Sequence, residues 1–236
     1  MIIVYGRRMC GEVESSGPTS IRTQFVHIYY MPLFPIASHL VVGQGQGNSL
    51  RTLSIPMHGV SVLAAYLRSW GIAGALGCIV SAAVSDSVLE AVPWLVFAAI
   101  LGGAAVWSWT SLGRPSRETL AQREAYSRFI GLPLDVALVR SKLADSYTKL
   151  RQNVEARAHE LLGGSYRTTQ DPKTQWDVIA LDPTVIDRSF VEACLTLARF
   201  EWADALGADK ERYARSHRDL WSKLKTLPSE PPALRA

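Results

Sequence analysis

The chain has 236 residues, of which 48% are hydrophobic and 19% are charged. Its formal net charge of +4 is small and dispersed, which argues against nucleic acid as a partner and is better explained by basic flanks beside lipid. The three cysteines, Cys10, Cys78 and Cys194, lie in separate segments. Their spacing indicates neither a disulfide framework nor a zinc knuckle, so we expect reduced thiols in a cytoplasmic setting.

Residues 1–56 are predicted to form a small β module. Four segments rich in β-branched and aromatic residues predict strands, and glycine- and proline-rich stretches separate them. These segments are Ile2–Tyr5, Thr23–Tyr30, Ser38–Val42 and Leu50–Ile55. In the second segment, alternation directs Phe25 and His27 to one face and Val26 and Ile28 to the other. We therefore expect both faces of this strand to be partly covered.

One stretch of the module resembles a known group of proteins. The run Gln24–Pro35, QFVHIYYMPLFP, follows Tyr5-Gly6 and resembles a segment of uncharacterised membrane proteins with a degenerate zinc-ribbon-like N-terminal module. In those relatives a phenylalanine–histidine strand leads into a Pro-Leu-Phe-Pro turn, which implies a turn over Pro32–Pro35. Zinc ribbons need two CxxC knuckles and the module has only Cys10, so no zinc site is carried over. The resemblance implies a fold and no activity.

His27 and His39 are the other metal-ligating residue types in the module with Cys10. Their spacing matches no recurring metal site, and a strand histidine is usually hydrogen-bonded or solvated. We therefore predict no metal here and no cofactor anywhere in the chain.

Three arginines form the module's other polar feature. Arg7 and Arg8 follow the first predicted strand, beside Arg22. Contact with anionic headgroups is one interpretation, and a solvated turn is the alternative.

Two charge-free runs follow the β module. Ser69–Ser85 and Ala91–Gly113 are 17 and 23 residues long, and only Asp86–Glu90 separates them. A hydrocarbon core of roughly 30 Å needs about 20 helical residues. The runs therefore predict a two-helix transmembrane hairpin over residues 57–113, with the lipid bilayer as a partner. The alternative is a buried helix pair in a soluble core, because glycine and alanine make the first run only mildly apolar.

The flanks and small residues of the two runs refine this prediction. The first helix can extend back to Val60, with Arg68 reaching to the headgroups. Trp94, Trp107 and Trp109 lie near the ends of the second run, where aromatic belts form. Small residues predict close packing within the hairpin, with dimerisation through the same surface as the alternative. They are Gly71, Gly74, Ala75, Gly77, Gly102, Gly103, Ala104 and Ala105.

Basic residues flank the hairpin on its outer sides. Arg51 and Arg68 precede the charge-free part of the first helix, and Arg114 and Arg117 follow the second, while the turn Asp86–Glu90 has no Lys or Arg. The positive-inside rule then predicts an integral protein of the inner or plasma membrane with both termini cytoplasmic. No signal-peptide pattern precedes the hairpin, so the hairpin itself is expected to direct insertion.

Residues 114–228 are predicted to form a helical cytoplasmic domain, followed by a disordered tail over 229–236. Ser116 caps a predicted helix that stops at Gly131, and Pro133 opens a long one that ends at Gly163-Gly164. An apolar stripe follows the long helix, at Leu143, Tyr147, Leu150, Val154, Ala158 and Leu161. We expect it to pack against its own domain, and a coiled-coil seam with another copy is the alternative.

Two more helices complete the predicted bundle after an irregular stretch, Ser165–Gln175. Asp182-Pro183 gives an N-cap with proline at the first helical position, and Gly207 closes that helix. Its apolar face is Ile186, Phe190, Ala193, Leu197 and Phe200. Asp209 caps the final helix, whose apolar face is Tyr213, His217, Leu220, Trp221 and Leu224.

No motif in the chain assigns a chemical activity or a catalytic residue. Asp182 and Asp187 are close enough for paired-carboxylate chemistry, but a cap explains Asp182 better. His159-Glu160 lacks the second histidine of a metalloprotease motif, and no phosphate-binding loop is present. Neither charge-free run carries an ionisable residue that relays protons, so a transporter acting alone is not expected.

Two classes of function therefore stay open. The first is a membrane-anchored interaction or scaffold protein, with a second copy or another protein bound through the helical domain. The alternative is a membrane-associated enzyme or ligand-binding protein with an unrecognised site. A concave pocket with converging polar groups favours the second class, and a flat apolar patch on the helix faces favours the first.

Overall fold

The computed structural model describes residues 5–16, 19–44, 50–161 and 175–228. Within these residues the chain is α+β, with one four-stranded antiparallel sheet followed by seven α-helices. It divides into two compact units, Met1–Arg117 and Glu118–Ala236. The predicted α+β class is confirmed, and the sheet shares the first unit with the two apolar helices.

The sheet is a meander in which each strand pairs with the next one along the chain. The strands are β1 (Tyr5–Ser16), β2 (Thr19–Ile28), β3 (Met31–Gln44) and β4 (Leu50–Ile55). Of the predicted first strand, Ile2–Tyr5, the structure describes only Tyr5, which belongs to β1, and the strand continues through Gly6 and Gly11. Gly11 has a φ of 67° beside a register shift, so it bulges the strand without ending it. Residues 2–4 lie outside the described residues.

The turn between β2 and β3 differs from the turn that the resemblance implies. It is formed by Tyr29-Tyr30, with φ values of 47° and 68°. Pro32 and Pro35 lie within β3, opposite His27 and Phe25, so the expected turn over Pro32–Pro35 is wrong. Register shifts beside both prolines accommodate residues that cannot donate a backbone hydrogen bond.

The two faces of β2 differ in burial. Ile21, Phe25 and His27 are buried on one face, whereas Val26 and Ile28 on the other are 37% and 41% exposed. The helix that follows the sheet covers the first face, and the second face is partly covered, which agrees with the expectation.

That helix, α1 (Gly59–Ala83), covers the sheet with its first turns. The Ser61 hydroxyl donates to the carbonyl oxygen of Gly11 at 2.6 Å and accepts from the Thr23 hydroxyl at 3.0 Å. The ring of Tyr66 packs edge-on against Phe25, with 5.5 Å between centroids. The predicted extension of the first helix back to Val60 is confirmed, and its function here is to bury one face of the sheet.

The second apolar helix, α2 (Val88–Thr110), returns antiparallel to α1. A Cβ atom placed on Gly71 would lie 3.2 Å from the Cβ of Ala105, and one on Gly74 would lie 2.9 Å from Leu101 Cδ1. A Cβ on Gly77 would meet nothing within 4 Å. The predicted close packing is confirmed at Gly71 and Gly74, while Gly77 does not contribute to it. A Cβ on Gly103 would likewise meet nothing within 4 Å.

The helical unit packs around α6. Its helices are α3 (Arg117–Ile130), α4 (Ala144–Leu161), α5 (Gln175–Leu181), α6 (Arg188–Asp204) and α7 (Gly207–Thr226). Nearly every side chain in the middle of α6 is buried, including Phe190, Val191, Cys194, Leu195, Leu197 and Phe200. The neighbouring helices enclose α6 and bury their own apolar stripes against it, as expected for a small bundle.

The predicted helix boundaries hold for α3 but not for α4. Gly131, with a φ of 75°, ends α3 as expected. The next helix begins at Ala144 and not at Pro133, because two short 3-10 turns occupy residues 136–142. Leu150 and Val154 are buried in the core of the unit, so packing of the stripe against its own domain is confirmed. Gly163-Gly164 and most of the stretch 165–175 lie outside the described residues.

The N-cap of α6 is Asp187 and not Asp182. The Asp187 carboxylate accepts the Phe190 amide hydrogen at 3.1 Å, while Asp182 accepts that of Thr184 and closes a separate turn. Ile186, placed within the helix by the prediction, precedes it and is 77% exposed. The predicted cap is wrong because a later aspartate reaches the first free amides of the helix.

The junction between α6 and α7 also differs from its prediction. The helix α6 ends at Asp204, and Gly207, with a φ of 54°, begins α7. Asp209 therefore lies in the first turn of α7 instead of capping it. The predicted apolar face of this last helix is confirmed, since Tyr213, Leu220 and Leu224 are buried. The predicted tail, residues 229–236, lies outside the described residues.

Candidate membrane anchor and arginine-lined cavity

The helices α1 and α2 are long and apolar enough to cross a membrane. Their most apolar 18-residue windows have mean hydropathies of 1.4 and 1.9, and only 17% and 6% of those windows are buried. Large side chains such as Leu76, Phe97 and Ile100 are more than half exposed. A core helix of a soluble protein with this composition would be mostly buried, whereas α1 and α2 present an exposed apolar surface.

Arg68 lies where this apolar pair meets the sheet. Its Nη1 donates to the carbonyl oxygen of Glu12 at 2.7 Å, and its Nη2 donates to the carbonyl oxygen of Ser108 at 2.8 Å. Its guanidinium also lies 4.7 Å from the centre of the Trp109 ring. Arg68 thus ties β1 to the last turn of α2, where free carbonyls favour a cation. Protein groups hold the guanidinium of Arg68 in place, and its expected contact with headgroups stays a prediction.

A cavity of about 370 Å³ opens beside Arg68, between β1, β2 and the adjacent ends of α1 and α2. We call it the arginine-lined cavity. Its lining residues are Arg8, Met9, Cys10, Gly11, Glu12, Arg22, Tyr30, Ala65, Arg68, Ser69 and Trp109. Three positive charges therefore face one negative charge, and positive charge is in excess.

The charges of the arginine-lined cavity are unevenly paired. The carboxylate of Glu12 accepts a hydrogen bond from Arg22 Nη2 at 2.8 Å. Arg8 lies 5.3 Å from the centre of the Tyr30 ring. Among the described residues, no carboxylate lies within ion-pair distance of Arg8 or Arg68. Neither guanidinium therefore forms an ion pair with a carboxylate among the described residues, although the charge of Glu12 also acts on Arg68.

The one thiol in the cavity is not activated. Burial raises the pKa of the Cys10 thiol above its ordinary value, and the nearby Arg8 only partly offsets this effect. Because the thiolate is the reactive form, Cys10 is a neutral side chain near pH 7. The chemistry that the cavity offers is recognition of negative charge.

A second polar cavity, of about 200 Å³, lies within the helical unit. The Tyr126 hydroxyl lies 2.6 Å from His217 Nε2, and Arg199 Nε donates to Asp135 at 2.9 Å. Burial, reinforced by the positive charge of Arg199, lowers the pKa of His217 to about 4. Burial also raises the pKa of Tyr126. Both groups are therefore neutral at pH 7, and the imidazole is a poor base there.

The structure brings together some residues that the sequence singles out and separates others. Arg8 and Arg22 line the arginine-lined cavity, but Arg7 does not. His27 stacks on Tyr30, with ring centroids 5.8 Å apart. Among the described residues, no three His, Cys, Asp or Glu side chains are grouped to hold a metal ion. Asp182 and Asp187 each serve a backbone turn or cap and form no shared site.

Sequence reasoning did not find the part that Glu12, Arg68 and Trp109 play in the cavity. Glu12 and Arg68 are separated by 56 positions in the chain and meet through a backbone carbonyl. A signal was present in the sequence, since Arg68 borders one charge-free run and Trp109 lies near the end of the other. In an antiparallel helical hairpin, these two positions lie side by side, at the same height along the helix axes.

The chain matches no protein-family model, no curated protein and no solved structure. The resemblance of Gln24–Pro35 to membrane proteins with a zinc-ribbon-like module therefore stays a prediction. Function must be inferred from α1, α2 and the cavity between them and the sheet.

Proposed function

We propose that the protein is a membrane-anchored ligand-binding protein, held in the bilayer by α1 and α2 with both chain termini in the cytoplasm. The observation that carries the anchor is the low burial of the two apolar helices, 17% and 6% over their most apolar windows. The arginines that flank the pair and the acidic turn Asp86–Glu90 support this orientation by the positive-inside rule.

The length of α2 fits this proposal. The residues from Val88 to Trp107 rise about 30 Å along α2, the thickness of a hydrocarbon core, whereas those from Ser69 to Ala83 rise only about 22 Å along α1. The residues of α1 before Arg68 are used to cover the sheet. In the proposed anchor, the sheet lies at the level of the cytoplasmic headgroups. Trp107 and Trp109, 50% and 59% exposed, lie where interfacial aromatic residues are common.

The arginine-lined cavity favours ligand binding over a scaffold function. The apolar faces that a scaffold would present on α4 and α7 are used within the helical unit, where Leu150, Val154, Leu220 and Leu224 are buried. The cavity, in contrast, is concave and has converging polar groups, which is typical of ligand sites. An interaction with a second copy or another protein through the helical domain stays a prediction.

Insertion is tested by extraction and labelling. The full-length protein is expected to stay with membranes in alkaline carbonate. In a variant without native cysteines, Asp86→Cys should react with an impermeant thiol reagent only from the non-cytoplasmic side. The double variant L95R/V96R should fail to insert, since each arginine costs about 2.5–3.5 kcal/mol at the centre of a spanning helix.

The matched control is the double variant V178R/I186R, which places two arginines on exposed apolar positions of the helical unit. It should be retained in membranes like the wild type. Release of the wild-type protein by carbonate, or equal retention of L95R/V96R, would refute the anchor. Labelling of Asp86→Cys from the cytoplasmic side would refute the orientation.

A further inference from the structure

We propose that the arginine-lined cavity binds a phosphate group, and that its position favours the phosphate of an acidic phospholipid over that of a soluble ligand. The inference rests on the proposed function, because a headgroup reaches the cavity only if the adjacent helices lie in the bilayer. The shared chemistry of both sources is an oxyanion held by guanidinium groups.

Hydrogen-bond donors exceed acceptors in the cavity. Each guanidinium carries five N–H donors. Each of the three nitrogens of Arg68 donates one hydrogen bond, to Ser108 or to Glu12. Arg22 adds a second guanidinium to the lining, whose Nη2 already donates to Glu12 at 2.8 Å. Arg8 contributes a further guanidinium over the Tyr30 ring. A phosphate group, which has only acceptor oxygens when ionised, matches this surplus of donors.

The charge of the cavity also selects an anion. Its single carboxylate, Glu12, is neutralised by Arg22 at 2.8 Å. With Arg8, Arg22 and Arg68 beside this one carboxylate, the lining of the cavity carries a net charge of +2. Their attraction for an anion is stronger beside apolar helices than in open water, because the local dielectric is lower.

The surroundings of the cavity fit an amphiphile better than a free ion. Its volume of about 370 Å³ lies within the range of small-molecule sites. Trp109 forms part of its wall, and the exposed apolar side chains of Ile72 and Val106 lie on α1 and α2 beyond it. A lipid with its phosphate among the arginines has an apolar path for its acyl chains along these helices.

The affinity is measured by native mass spectrometry of the full-length protein in detergent micelles, titrated with phosphatidic acid and with phosphatidylcholine. Arg8→Gln removes one guanidinium from the cavity. It should weaken phosphatidic acid binding about tenfold, because one charge-assisted hydrogen bond is lost. Arg7→Gln is the matched control, because Arg7 is the adjacent arginine of β1 and does not line the cavity. It should bind within about twofold of the wild type.

A variant that is expected to strengthen binding distinguishes a loss of phosphate recognition from damage to the fold. Glu12→Gln removes the carboxylate of the cavity and releases Arg22, so phosphatidic acid should bind about tenfold more tightly. Equal losses in R7Q and R8Q would overturn the proposal in favour of general surface charge. Weaker binding by E12Q, or equal affinity of the wild type for the two lipids, would also overturn it.

Inorganic phosphate distinguishes the two sources of the ligand. Failure of inorganic phosphate to displace phosphatidic acid supports a lipid ligand, and displacement at equal concentration assigns the same site to a soluble phosphate.

A second measurement does not depend on the arginine variants. In C78S protein, phosphatidic acid should slow alkylation of Cys10, which lines the cavity, and an unchanged rate would overturn the proposal.

Failure of this inference is distinguishable from failure of the proposed anchor. Binding in micelles does not require that the hairpin crosses a bilayer. Carbonate-resistant protein without Arg8-dependent binding refutes the phosphate site alone. Carbonate-released protein that still binds phosphate through Arg8 refutes the anchor, and with it the membrane lipid as the source, but not the phosphate site.

Discussion

Mild acid is expected to destabilise the helical unit through His217. The pKa of this imidazole is lowered to about 4, first by burial and then by the charge of Arg199. The ordinary pKa of histidine is 6.5, so the unfolded chain binds the proton first as the pH falls. The stability linked to His217 is therefore fully present above about pH 6.5 and is lost as the pH falls towards 4.

The size of the effect follows from the two pKa values. One pKa unit corresponds to about 1.36 kcal/mol, and integration between about pH 7 and pH 5 gives a loss of about 2 kcal/mol. This range lies above the ordinary titration of Asp and Glu. Hydrogen exchange of α6 and α7 peptides in the full-length protein measures it, once rates are corrected for the intrinsic effect of pH.

The variant His217→Gln isolates the contribution of the proton. A glutamine side chain can both donate to and accept from the Tyr126 hydroxyl, which lies 2.6 Å from Nε2 of His217, but it does not titrate. The variant should lose the dependence on pH, whereas His159→Gln, which changes an exposed histidine of α4, should keep it. A wild-type unit whose exchange is unaffected between these pH values, or an unchanged slope in H217Q, would refute the reasoning.

Two further predictions concern single contacts. Asp187→Ala should destabilise the helical unit by about 1–2 kcal/mol in urea unfolding, because it removes the N-cap of α6 and the ion pair with Arg157 at 2.9 Å. Asp182→Ala removes only contacts within one turn and should have a smaller effect, and the reverse order would contradict this assignment. Gly71→Val should lower the thermal stability of the purified protein by about 1–3 kcal/mol, since its side chain would meet Ala105. Gly77→Val should not, because a Cβ atom at Gly77 would meet nothing within 4 Å, and equal effects would argue against the packing of α1 on α2.

Patterns that depend on neighbours in the chain were predictable. The two charge-free runs predicted α1 and α2 because helix length and apolar composition are local properties. Gly131 ended α3 as expected, since glycine adopts the positive φ that a helix end requires. The stripe of Leu150 and Val154 was recognised from its spacing, which places both residues on one side of a helix.

Features that depend on competition between similar local signals were not predictable. Asp182 and Asp187 both satisfy the rules for an N-cap, and only the packing of α6 selects the second. Glycine is a common strand breaker, but Gly11 stays within β1. Its positive φ forms a bulge where the strand packs against α1. Pro32 lies in β3 for a related reason, because pairing with β2 tolerates an irregular register there.

The sequence by itself determined the class of the fold, the two apolar helices and the apolar faces of the helical unit. Each of these depends on residue types that recur at short, regular spacing along the chain. Only the tertiary structure decided the arginine-lined cavity. Arg8, Arg22 and Arg68 come from β1, β2 and α1, and no local rule relates them. They converge because Arg68 bonds to the carbonyls of Glu12 and Ser108, two groups that become neighbours only after the sheet and both helices have packed.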